Sequence, residues 1–172
     1  MGILDSVSEV LKQYTGGTTN STNTPDHFEQ VSKAASPDMI ADGLAAVFRS
    51  DQTPAFGNLV GNLFSQSNGE QKAGLLSQLL GSVGPGTLAQ IAGGGALASL
   101  LKGGTNQVTS DQAQTVSPET VQQLAAHAEK SDPSVIDRAS SFFAQHPTLI
   151  KTLGGAALSI ALAKVAERQK AA

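Results

Sequence analysis

Nowhere along the 172 residues does a run of apolar side chains alternate with polar ones as a half-buried strand requires, whereas apolar residues recur throughout at steps of three and four. That spacing is the mark of helices buried on one side. The chain is therefore expected to be all-α, a multihelical bundle of about eight or nine helices. Its length suits one compact domain or two small ones and is enough for a real core without disulfide staples.

The order of elements follows from turn and cap signals. In residues 1–14, Leu4, Val7, Leu11 and Tyr14 fall on one stripe with Ile3 and Val10 beside it, which predicts an amphipathic helix. Residues 15–25, TGGTTNSTNTP, offer nothing to bury and read as a flexible tether. Residues 26–102 form a first helical unit, 103–116 a second polar linker and 117–172 a second unit. Ser36-Pro37, Ser117-Pro118 and Asp132-Pro133 each pair a capping residue with a proline suited to the first helical turn. Thr53-Pro54 and Pro147 start further helices, the last expected to run unbroken into the charged tail, and Asn68 caps a helix with Leu75, Leu76, Leu79 and Leu80 on one face. Thr87 to Leu101 carries no charge, so a Gly/Ala-rich helix buried on all sides is expected there, at the centre of the bundle. Glycines 93–95 either break it or let a neighbour approach closely.

The two units show an internal likeness. At an offset of 93, Phe28 meets Val121 and Val31 meets Leu124; after a three-residue shift, Pro37 meets Pro133 and Ile40 meets Ile136; then Pro54 meets Pro147 and Gly61 meets Gly154. This reads as a duplicated three-helix unit with a pseudo-symmetric core, or as the resemblance that any proline-started helices share.

Composition removes several functions. A net charge of -3 with no Lys/Arg cluster leaves no basic face for nucleic acid. No cysteine means no disulfide, thiolate metal site or thiol nucleophile. His27, His127 and His146 lack a second ligand one helical turn away and read as solvated or capping residues, so no metal or other cofactor is expected. Asp38 and Asp42 are one turn apart but read as an exposed acidic face. The glycine-rich stretch lacks the P-loop spacing, and no nucleophile elbow occurs, so nothing points to an enzyme. The opening residues lack the basic start and apolar stretch of a signal peptide. The longest weakly polar runs, 87–101 and 152–163, fall short of the ~20 apolar residues of a membrane span.

The opening MGILDSVSEVL, the GLLSQLLG run at 74–81 and the glycine-rich apolar helix resemble the YidB-like family of small bacterial proteins. The resemblance touches the first dozen residues and part of the middle. It implies a multihelical fold around a buried central helix and a bacterial cytoplasmic setting, and it carries over no catalytic residue.

The functional expectation is a non-enzymatic interaction or scaffold protein. Its tethered first helix, through Ile3, Leu4, Val7, Val10, Leu11 and Tyr14, would dock on a partner protein or mediate self-association. The same helix could instead fold back as one more core helix. Association with a membrane surface through the apolar Gly/Ala-rich helices, and a pocket between the helical units for a small ligand or substrate, are the other expectations.

Overall fold

A computed structural model describes residues 2–15, 23–92, 96–102 and 107–171, and among them the chain is all-helical, with twelve α-helices and no strand. Three elements beyond the expected nine account for the difference. A helix hides in the second polar stretch, the apolar segment forms two helices, and the last helix is interrupted.

The helices fall into two compact units whose boundaries lie at 54/55 and 139/140, not in the polar stretch at 103–116. The first unit contains Met1–Pro54 and Ser140–Ala172. It holds α1 (Ile3–Tyr14), α2 (Thr24–Ala34) and α3 (Pro37–Phe48), then the end of α10 (Val135–Ala144), α11 (Pro147–Ile150) and α12 (Gly155–Ala171). Ser36 caps α3 as its position before proline predicts, accepting a hydrogen bond from the Met39 N–H. The expected continuous last helix stops at a 3-10 turn, Lys151–Leu153, because Gly154 takes a φ of +91° that only glycine adopts without strain. Beyond it α12 packs on α3, and the crossing is close because Gly43 has no side chain: a Cβ there would sit 2.8 Å from the Ala161 carbonyl oxygen. Phe28, Val31, Leu44, Val47, Leu158 and Val165 are fully buried in this unit. Two ion pairs fasten its outside, Lys151 to Glu29 and Arg168 to Asp42, so the face expected to carry Asp38 and Asp42 as solvated acids engages one of them.

The second unit is Ala55–Ala139. It comprises α4 (Phe56–Gln66), α5 (Gly69–Ser82), α6 (Pro85–Ala92), α7 (Ala96–Leu101), α8 (Ser110–Gln114), α9 (Pro118–Ser131) and the start of α10. Gly57 and Gly61, one turn apart on α4, let it lie against Gln122 and Ala126 of α9. The four leucines of α5 are buried as their spacing predicts. Asn68 and Gln71 cap α5 reciprocally, the Asn68 side chain accepting from the Gln71 N–H and the Gln71 side chain from the Asn68 N–H.

Residues 107–116, expected as linker, instead contain α8, set by an equivalent reciprocal cap between Thr109 and Gln112. Ala113 and Val116 are buried, and Val108 donates its N–H to Ser77 of α5. Residues 103–106 of that stretch lie outside the described residues. The segment 87–101 is not a single helix buried on all sides: Leu88, Leu97 and Leu100 are buried, whereas Ala89, Gln90 and Ser99 are exposed. Residues 93–95, the expected break or close approach, lie outside the described residues.

The repeated pattern survives as burial, since Ile40, Gly43, Leu44 and Val47 of α3 and Ile136, Ala139, Ser140 and Phe143 of α10 are all buried at an offset of 96. The compact units do not follow the repeats, however: α4, third helix of the first repeat, packs on α9, first helix of the second. The expected pseudo-symmetric core around residues 87–101 is not what the contacts show.

Candidate functional site

The feature singled out by the sequence, the first helix, packs on its own unit, against α2 and α12. Asp5 accepts a hydrogen bond from the Gly2 N–H at the start of α1, and Lys12 lies in its last turn, each complementing the helix dipole. Of the stripe, Val7, Leu11 and Tyr14 are buried and Val10 is half-buried. The side chains of Ile3 and Leu4 lie outside the described ones.

Tyr14 is the anchor. It is 1% exposed, and its hydroxyl lies 2.9 Å from His27 Nδ1 and 3.4 Å from Thr24 Oγ1. Both partners stand in the first turn of α2, and Thr24 is itself fully buried. The His27 ring meets the Tyr14 ring edge-on at 6.0 Å between centroids. A buried phenol needs a polar partner, and this pair supplies one while fixing how far α1 slides along its seat. His27 is half-buried and engaged with Tyr14, where it helps hold the docked helix.

Beside this seat, Ser8, Leu11, Lys12 and Thr15 of the α1 side face Ala166, Gln169 and Lys170 of α12 across an open groove of about 310 Å³. Its apolar floor comes from Leu11 and Ala166, and its two lysines sit in the last turns of α1 and α12, where helix dipoles favour cations.

The remaining chemistry is sparse. His127 is exposed, and His146 precedes α11 with its ring 5.0 Å from that of Phe142. Among the described residues no three His, Asp or Glu side chains gather closely enough to hold a metal ion. The Glu29 carboxyl is lowered from 4.5 to about 2, first by the hydrogen bond from Lys151, then by that from Lys33. It belongs to a half-buried ion pair that ties α2 to the turn before α12.

Among the described side chains, every Leu, Ile, Val, Met, Phe and Tyr is buried or half-buried, and the exposed apolar residues are alanines and prolines. No helix among the described residues is long and apolar enough to cross a membrane. The chain matches no family model, no curated protein and no solved structure.

Proposed function

We propose that this protein is a non-enzymatic helical interaction protein whose first helix is a detachable docking element. One observation carries the reading: α1 turns an apolar stripe inward from a segment joined to its unit by the polar residues 15–25, while among the described side chains no large apolar one is exposed. Stable protein interfaces are built around an apolar, aromatic-rich centre. A molecule with this surface associates by uncovering something it already buries, and α1 is the element whose release leaves α2, α3 and α12 packed on one another.

Release would present two complementary surfaces, the stripe of α1 and the seat on α2 and α12, in the manner of a helix binding a groove. The helical body is the platform. The resemblance of the opening residues and of 74–81 to the YidB-like family supports a bacterial cytoplasmic setting. The net charge of -3 supports a protein partner over nucleic acid.

The absence of native cysteines gives a clean test. Ser8→Cys with Gln169→Cys places one thiol on each side of the groove, and a short bis-maleimide then locks α1 down. Used as bait in extract of the native host, the unlocked protein should retain partners that the locked protein loses. An identical set with both forms would remove α1 from the docking role.

A further inference from the structure

We propose that Asn68 is a site of spontaneous covalent modification, deamidation through a succinimide, and that the cap of α5 is the brake on it. Asn68-Gly69 is the chain's single Asn-Gly pair, and Asn68 is exposed. The reaction consumes only water. The Gly69 backbone nitrogen attacks the Asn68 Cγ, and its proton departs with the side-chain NH2 as ammonia. The five-membered imide so formed then adds water at either carbonyl, giving aspartate or isoaspartate. Glycine favours the attack because it has no side chain to crowd the nitrogen and its backbone turns freely. As the first residue of α5, Gly69 also has an N–H that no carbonyl within the helix engages.

The fold opposes this chemistry. Asn68 is held extended, with a ψ of 174°; its Oδ1 accepts the Gln71 N–H at 2.9 Å, and its own N–H donates to Gln71 Oε1 at 3.0 Å. Ring closure requires ψ to turn until the Gly69 nitrogen meets Cγ, and that turn breaks the cap. It also moves Gly69 where space is short, since a Cβ built there would lie 3.0 Å from Gln114 Nε2 and 3.2 Å from the Ser110 Cβ, both of α8. Deamidation therefore proceeds from molecules in which the start of α5 has opened. The aspartate product keeps a capping oxygen and adds negative charge where the helix dipole favours it. The isoaspartate product inserts a methylene into the backbone, which displaces Gly69 from its place against α8.

Full-length protein is incubated at neutral pH, folded and in concentrated urea, and residues 50–72, which trypsin releases between Arg49 and Lys72, are followed by mass spectrometry with fragmentation that separates aspartate from isoaspartate. In urea Asn68 should convert while Asn58 and Asn62, each followed by leucine in the same peptide, stay intact. Gly69→Ala should abolish the conversion in urea, because the attacking nitrogen is then crowded. Folded protein should convert at least about tenfold more slowly than the chain in urea. Gln71→Ala, which removes one half of the reciprocal cap, should speed the folded rate about fivefold and leave the rate in urea unchanged. Circular dichroism of Gln71→Ala shows that the acceleration belongs to folded protein. An Asn68 that survives urea as well as Asn58 and Asn62 would overturn the site. Equal rates in folded protein and in urea, or a folded Gln71→Ala rate no higher than that of the unaltered protein, would overturn the cap as its brake.

Discussion

Individual residues set how closely the helices approach, and glycine is the clearest case. A methyl added at Gly57 would meet the Gln122 backbone oxygen at 2.6 Å, and backbone inside a packed helix pair does not yield cheaply. Gly57→Ala should cost about 1–3 kcal/mol, read from the urea midpoint. At Gly61 the nearest obstacle is the flexible Gln122 side chain, so Gly61→Ala should cost less and be relieved by Gln122→Ala. Gly81 in α5 faces open space, and Gly81→Ala should stabilise by about 0.5–1 kcal/mol. Glu29 gives the pH dependence. Its native carboxyl titrates near 2 rather than 4.5, so its contribution is fully present above pH 4.5 and is lost as the pH falls toward 2. Glu29→Gln should flatten the stability profile across that window, and an unchanged acid limb would show that the bridge to Lys151 does not operate in solution.

Helices show what sequence can and cannot specify. Ser36-Pro37 and Ser117-Pro118 placed their helices because the cap and the proline act locally. The cap at Thr109-x-x-Gln112 carried an equally local signal, but the polar composition around it read as linker, and the burial of Ala113 and Val116 against the rest of the unit was not visible in composition. Gly154 looked like one more tolerated helix residue until its φ placed it in a turn. For α1 the stripe was legible, and so was the option of folding back. The choice of α2 and α12 as its seat was not, because the Tyr14–His27 contact joins residues 13 apart across a polar stretch. Tyr14→Phe should leave His27 and Thr24 without that partner, cost about 1 kcal/mol, and raise the undocked population of α1 about fivefold while α2, α3 and α12 keep their protection. Equal loss of protection throughout the unit would make α1 an ordinary core helix.

For the whole molecule, the repeats of the sequence and the compact units of the fold are different divisions. Likeness between residues 28–61 and 121–154 is carried by local signals, but α4 packs with α9 and α12 with α3, and no local pattern specifies such a pairing. The second unit is continuous in sequence while the first is closed by α12 returning from the far end of the chain. Residues 55–139 expressed alone should therefore fold as a helical unit with a cooperative thermal transition; a featureless melt would show that the division lacks thermodynamic meaning. The functional account depends on one part of the first unit opening before the rest. Native-state hydrogen exchange of the full-length protein tests that most directly. The account predicts that amides of residues 5–14 exchange at least about tenfold faster than those around Val31 and Leu162, through an opening that leaves the other helices intact. Protection of α1 equal to that of α2 and α12 would contradict it.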